Sequence, residues 1–545
     1  MTPENYKNNI SEDYCKIIES YNKIFPKLSD FLNKNHNLSK TSVFWEVLLS
    51  PSLFNLFSIV KGFGAEYDLP REHHREPVSL IPPWDAREII VKKENSELEA
   101  VLGKEDGTNI FLNDLDKHEY FNLTDEILFK LSSGVLYADY FLPKNVSRII
   151  RREFSLLNFC RFPKTTHRKI IIDKKLRERM VAELLKEIKD EESVKFVNSL
   201  YWGLPASLLE GFHDLFRWSE KNAARFKCVI YSNQYWAECS LLFLMANVKE
   251  DGGILIGRPH GGFYGQVTCL FQEYYERILA SYYMTPGWQE STHGKKEKCI
   301  PMTEPRLCSI SNSNKPENED VIWVSNAFYE DVLFVSNGFP MPANVSSWYD
   351  SKNRFHEILP ENIKVNLKYR PFPCTYGWDE EEQYFKNKFK AENVISKGRL
   401  IDYLFSCKMV LIDHPCTVLQ EAMAINVPMI IFWDKSLFTF RDDMTMVMDK
   451  LSEAGIYHSS PASFSKKIEE VYDNPHKWWN SKEIQEARNL FLHYFARISG
   501  DYTQEWGIFA SCLKKACCKG NYLPLNDFIT NATKLRLENK STLKL

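Results

Sequence analysis

The sequence predicts an α/β protein built from two nucleotide-fold-like halves that face each other, and three observations carry that prediction. Residues 409–432 read as a buried strand (Met409 to Ile412), a polar turn, a helix (Thr417 to Ala424) and a second buried strand (Val427 to Phe432), which is one βαβ unit of a parallel sheet. Cys228-Val-Ile-Tyr-Ser-Asn, a helix from Tyr235 to Asn247, and Gly253-Ile-Leu-Ile-Gly read as a second unit of the same kind. Between the two, the polar stretch Lys295 to Glu319 carries Ser-Asn repeats and a proline and reads as a linker, after which strand and helix alternate again. A chain of 545 residues exceeds what one hydrophobic core usually organises, so two large domains are the default expectation.

Taken in order, residues 1–85 read as a helical N-terminal region. Tyr14-Cys-Lys-Ile-Ile-Glu-Ser-Tyr-Asn-Lys-Ile-Phe repeats apolar positions at helical spacing, Phe44-Trp-Glu-Val-Leu-Leu starts another amphipathic segment, and Pro82-Pro83 closes the region. Residues 86–310 form the first α/β half. Arg87-Glu-Ile-Ile-Val-Lys is a strand, Lys93 to Asp125 an acidic, turn-rich excursion, and Asp173 to Glu191 a charged, half-buried helix. Residues 319–477 form the second half, with strands at Val321-Ile-Trp-Val-Ser and Ile363 to Arg370 and a helix at Leu400 to Cys407. From about Trp478 to residue 545 the chain is helical with an aromatic face, Leu490-Phe-Leu-His-Tyr-Phe, suited to packing back across the first half.

Composition excludes several classes of function. A net charge of -3 gives no global attraction to nucleic acid or to an anionic membrane. No apolar run approaches the ~20 residues needed to span a bilayer, and Met1-Thr-Pro-Glu-Asn-Tyr-Lys has no signal-like apolar core. A cytoplasmic location is expected, with room for peripheral contact at the inner membrane face. Thirteen scattered cysteines in apolar runs fit reduced core residues, and the cluster Cys512, Cys517, Cys518 lacks the spacing of a zinc site.

The polar turn of the 409–432 unit sits at the carboxyl end of a strand, where open α/β sheets bind ligands, and a helix N-terminus offers free N–H groups to a phosphate. Asp413 to Thr417, with Asp413, Cys416 and Thr417 foremost, is therefore an anion-site candidate, and Glu421, one turn further on the same face, is placed for a ribose hydroxyl. Arg370 ends a strand and suits bidentate phosphate binding. Tyr376-Gly-Trp378 suits a sugar or base platform. In the first half, His260 follows a buried strand and precedes Gly261 and Gly262, with Tyr264 and Gly265 beyond; a histidine in such a turn is a candidate general base. Glu210 and Asp214 lie at helical spacing and are candidates to activate an acceptor hydroxyl or stabilise an oxocarbenium-like transition state. Each also has a plain structural reading: a helix cap, a hydrogen-bonded histidine, a surface acid pair.

The run Asp413-His-Pro-Cys-Thr, Glu421 and Pro428-Met-Ile-Ile-Phe resembles the donor-binding half of GT-B glycosyltransferases. Leu204-Pro to Leu209-Glu-Gly, Ser232-Asn, His260-Gly-Gly-Phe-Tyr-Gly, and Arg370 with Tyr376-Gly-Trp resemble a narrower family of transferases from O-antigen and other surface-polysaccharide clusters. The resemblance implies two Rossmann-like domains facing across a cleft, a nucleotide-sugar donor, a glycan or lipid-linked glycan acceptor, and no metal or other cofactor. It implies donor contacts from Arg370, Tyr376, Trp378, Asp413, Cys416, Thr417 and Glu421, and catalysis by His260 and Glu210 with Asp214 behind them. Two departures stand out: Arg258-Pro259 replaces the family's glutamine before the histidine, and the family's opening strand is not evident. A polyol-phosphate transferase, a sugar-nucleotide epimerase and a non-catalytic glycan-binding protein remain alternatives on the same fold.

Overall fold

The computed structural model describes residues 3–63, 89–94, 97–102, 108–109, 129–139, 142–154, 159–162, 170–236, 239–289, 299–311, 318–326, 345–372, 386 and 391–542. Tyr376, Trp378, Pro82-Pro83 and most of the excursion after Lys93 lie outside them. Strands of the first half are Ile89–Glu94 (β1), Glu97–Leu102 (β2), Thr108–Asn109 (β3), Gly134–Ala138 (β4), Phe159–Arg161 (β5), Ile170–Ile171 (β6), Phe226–Tyr231 (β7), Ile254–Gly257 (β8), Tyr282–Thr285 (β9) and Cys299–Pro301 (β10). Those of the second are Val321–Val324 (β11), Leu367–Arg370 (β12), Met409–Ile412 (β13), Met429–Phe432 (β14) and Tyr457–His458 (β15).

Two parallel sheets organise the chain. The first has the order β10-β9-β8-β7-β4-β5 and the second β12-β11-β13-β14-β15. In both, the chain leaves its opening strand to one side and then returns to build outward on the other. The direction of winding therefore reverses between β4 and β7 in the first sheet and between β11 and β13 in the second. Ligands of open α/β sheets bind outside the strand carboxyl ends at such reversals. Asp139 and Ser232 mark that point in the first sheet; Ser325 and Asp413 mark it in the second.

Both sheets are covered on both faces, which explains their continuous apolar strands. Alternate residues divide cleanly: Leu136, Val229 and Leu255 join a core with Tyr14, Trp45, Phe54, Phe212 and Phe243. Val135, Ile230 and Ile256 join Trp506, Phe509 and Leu513 on the opposite face. The N-terminal helices Pro3–His36 and Ser42–Phe63 thus cover one face of the first sheet, and the helix Tyr502–Lys519 crosses back to cover the other. In the second sheet Ile322, Val410 and Ile431 share a core with Phe263, Val267, Leu270 and Trp288 of the first half.

The structure differs from the sequence reading in several elements; the strand expected from Ile363 begins only at Leu367, because Ile363 and Lys364 close the helix Glu361–Lys364. Cys299–Pro301 is an edge strand of the first sheet and Pro305–Ile310 a helix capped by Glu304, so much of Lys295 to Glu319 is structured rather than a linker. The charged helix expected over Asp173 to Glu191 runs over Lys174–Glu187, and a separate helix, Glu191–Gly203, starts where it was expected to finish, because the Asp173 and Asp190 side chains cap separate N-termini by accepting from Leu176 N and Ser193 N. An opening strand is also present: β4 pairs with both β5 and β7. Among the described residues no helix is long and apolar enough to cross a membrane.

Candidate functional site

The carboxyl edges of the two sheets meet where the turn after β8 rests on the helix Thr417–Ile425. Gly262 donates its backbone N–H to the Thr417 hydroxyl at 2.8 Å. A Cβ on Gly262 would lie 2.5 Å from the Cys416 carbonyl carbon and the Thr417 nitrogen, and one on Gly261 would lie 3.2 Å from Thr417 Oγ1. Glycine is required at 262 because backbone meets backbone there. The turn is held by Phe263 in a left-handed conformation at φ 70 and by Gly265 at φ 73, whose N–H is accepted by Glu273. Cys416 and Thr417 stay half-exposed beside it.

His260, half-buried, bonds through Nδ1 to the Tyr264 hydroxyl at 3.0 Å. Tyr264 in turn donates to Glu276 Oε1 at 3.1 Å. Glu276 is completely buried and also accepts from Tyr235 at 2.8 Å and Tyr283 at 2.7 Å, while Tyr231 donates to its backbone carbonyl. Gly257 makes room for this cluster, since a Cβ there would lie 2.7 Å from the Tyr283 ring and 3.0 Å from the Tyr231 hydroxyl. Burial holds His260 down to about 4, only partly offset by Asp139, so the imidazole is neutral at pH 7. Burial pushes Glu276 up to about 8 against the three hydroxyls that donate to it.

Below the glycine turn, Asp413 is buried and fully engaged. Its Oδ2 accepts from Trp323 Nε1 at 2.9 Å and Ser325 Oγ at 2.6 Å, and its Oδ1 accepts from His414 Nδ1 at 2.8 Å. Lys352 Nζ stands 3.7 Å away, over the Trp348 ring. Burial raises the Asp413 carboxyl, yet Lys352, His414 and Ser325 together hold it below its ordinary value. Burial likewise opposes the His414 imidazolium, but Asp413 and the Cys416 thiol outweigh it and raise the group to about 9. A histidinium therefore lies beneath the helix N-terminus at neutral pH, adding to the positive end of its dipole.

Several expected site residues have other duties. Glu210 lies in a turn between the short helix Ala206–Leu208 and the helix Phe212–Ala223, so it does not share a helical face with Asp214. Its carboxylate is gripped by Arg177 through Nε at 2.7 Å and Nη2 at 2.9 Å, with both side chains buried. Asp214 is exposed and pairs with Arg217. Arg370 donates to the carbonyls of Ile395, Lys397 and Gly398, which fastens the loop before Leu400. Glu421 is paired with Arg306, from the helix beyond β10. Arg258, at the family departure, is buried between Asp139 and Glu304 and ties the end of β4 to the cap of that same helix.

His260, Gly261, Gly262, Tyr264, Gly265, Asp413, Cys416, Thr417 and Glu421 are thus brought to one edge, while Glu210, Asp214 and Arg370 are engaged elsewhere. Sequence reasoning passed over Lys352, Arg306 and Glu276, and gave His414 no role of its own within the Asp413 to Thr417 turn. His414 lay inside the strand-end run that drew notice, and Glu276 is an acid on the buried face of the helix Phe271–Leu279, between Tyr275 and Leu279.

Paired parallel sheets with a histidine-glycine turn seated on a helix N-terminus define an α/β fold whose candidate site lies at the strand carboxyl ends. Residues 92–508 match the LIC12162 family transferase, and the chain belongs to this family of transferases. Among solved structures, the chain is similar to a UDP-N-acetylglucosamine 2-epimerase at 10% identity and a TM-score of 0.38, over 69% of this chain and 94% of that one. Comparison with curated protein sequences gives no match.

Proposed function

We propose that the protein is a GT-B-like glycosyltransferase that moves a sugar from a nucleotide-sugar donor to a bacterial surface glycan such as an O-antigen or capsule. In this reading residues 86–310 form the Rossmann-like acceptor domain and residues 319–477 the donor domain, working across a cleft on the cytoplasmic side. The observation that carries it is the seating of the His260-Gly261-Gly262 turn on the N-terminus of the Thr417–Ile425 helix, whose preceding turn holds the buried His414–Asp413 pair.

In this reading a base and an anion stabiliser stand side by side. A neutral imidazole accepts the proton of an acceptor hydroxyl as that oxygen attacks the anomeric carbon. The departing nucleoside phosphate gains negative charge, which the positive end of the Thr417–Ile425 helix and the buried histidinium stabilise through preorganised dipoles. Glu421 receives the ribose once Arg306 swings aside; the Arg306 side chain is 44% exposed, so its displacement toward water is easy.

A thermal-shift screen against UDP, GDP, CDP, CMP and dTDP tests the reading, because a ligand that binds only the folded chain stabilises it by about 2.7 kcal/mol at a hundredfold excess over Kd. One nucleotide is expected to raise Tm in the wild type and to do so less in Thr417→Val and Glu421→Ala. CMP alone would indicate a Kdo-like or nonulosonate donor, and a nucleoside diphosphate a hexose donor. No shift with any nucleotide would remove the donor-site assignment.

A further inference from the structure

We propose that His260, Tyr264 and Glu276 form a proton relay in which Glu276 is the terminal proton store. The proposal rests on the reading of His260 as the base and adds the residues through which that base works. Three hydrogen-bonding groups stand in line: His260 Nδ1 to Tyr264 Oη at 3.0 Å, and Tyr264 Oη to Glu276 Oε1 at 3.1 Å. Tyr235 and Tyr283 fix the carboxylate from two other elements at 2.8 and 2.7 Å, so its position does not depend on Tyr264 alone.

The line has two self-consistent states that differ by one proton. With Glu276 ionised, Tyr264 donates to Oε1, His260 Nδ1–H donates to Tyr264, and the imidazole lone pair lies on Nε2. With Glu276 protonated, the carboxyl donates to Tyr264, Tyr264 donates to Nδ1, and the remaining imidazole proton lies on Nε2. Taking a proton from an acceptor hydroxyl converts the first state into the second. The hydroxyl proton bonds to Nε2, the Nδ1 proton moves to Tyr264 Oη, and the Tyr264 proton moves to Glu276 Oε1. One O–H bond of the acceptor is broken and one is made at Glu276, and no imidazolium persists.

The surroundings favour that outcome. Burial disfavours a charge on His260, whose facing groups include Tyr264 and Asp139, the latter bound by Arg258. Glu276 faces Tyr231, Tyr235, Tyr264, Tyr283 and Glu273, and Glu273 is itself paired with Arg277 and Arg441. Burial thus opposes charge at both ends: Glu276 is pushed up to about 8, so below that pH it keeps the proton, and the state able to take one from an acceptor fills as the pH rises through it. Tyr264 and Glu276 are positioning residues: they set which imidazole nitrogen carries the proton.

The experiment is 15N NMR of the full chain labelled at histidine, followed across pH 6–10. In the wild type the His260 signal is expected to move from the Nε2–H tautomer to the Nδ1–H tautomer through about pH 8, where Glu276 titrates. An infrared carbonyl band of a protonated carboxyl should fade over the same range and be absent in Glu276→Gln. Tyr264→Phe, which keeps the ring, should abolish the tautomer change while leaving the carboxyl band. A His260 tautomer independent of pH in the wild type, or one that still switches in Tyr264→Phe, overturns the relay. A switch that obeys these rules in a protein whose glycosyl transfer survives His260→Ala keeps the relay and overturns the reading of His260 as the base.

Discussion

At Gly262 a single hydrogen atom decides whether the two sheets can meet. A methyl group at that position would press into the Cys416–Thr417 peptide at 2.5 Å, and main chain at a helix N-terminus has no rotamer to change. Overpacking of this kind costs about 1–3 kcal/mol. Gly262→Ala is expected to lower the urea midpoint accordingly and to weaken nucleotide binding, because the turn is lifted from the helix. Gly500→Ala, whose Cβ would meet nothing within 4 Å, is the control and should leave both unchanged. Equal effects from the two variants would show that the contact is unimportant. Much of this residue-scale picture was legible: His260, Gly262 and Thr417 announce themselves as polar or small residues at strand ends. Their mutual contact was not, since nothing in a linear pattern says that residues 155 positions apart share a hydrogen bond. Glu276 was hidden for a different reason. Tyr235, Tyr264 and Tyr283, which make its burial tolerable, come from three separate elements.

At the scale of elements, periodicity found the long apolar strands and failed where side chains override it. β13, the Thr417–Ile425 helix and β14 were read to within a few residues because four consecutive apolar residues flank a polar turn. Glu210 was misplaced because Leu204-Pro to Asp214 has helical spacing but folds as a short 3-10 turn, a bend and a new helix. The break turns the carboxylate toward Arg177, whose guanidinium also donates to the Tyr201 carbonyl at 2.9 Å. Breaking a buried pair leaves an uncompensated charge and costs about 3–5 kcal/mol. Glu210→Ala should therefore lower unfolding free energy by that amount, with transfer activity falling only as the folded fraction falls. Activity lost in a Glu210→Gln chain that melts like the wild type would restore the carboxylate to the chemistry.

Across the whole molecule, the two sheets are joined by more than their covalent connection. Beyond the Gly262–Thr417 contact, Val267 forms an antiparallel bridge with Phe440, and Thr268 N and Arg441 N bond to the carbonyls of Thr439 and Gln266. Arg441 also reaches across to Glu273 at 3.3 Å and, with Arg277, lies against the Trp288 ring, all four side chains being buried. One apolar core runs from Phe263, Val267 and Trp288 through Val410 and Ile412 to Trp433. Domains that unfold separately are those with few contacts across a flexible boundary, and here the structured Cys299–Ile310 segment and the shared core remove that boundary. Scanning calorimetry should accordingly show one transition with van't Hoff and calorimetric enthalpies close to each other, although a chain of 545 residues would ordinarily give several. Arg441→Ala leaves Glu273 with Arg277 but cuts one buried charged tie between the halves, and it should split or broaden that transition. Two well-resolved transitions in the wild type would mean instead that each sheet keeps its own core, and the meeting of His260 with Thr417 would then depend on ligand rather than on the fold.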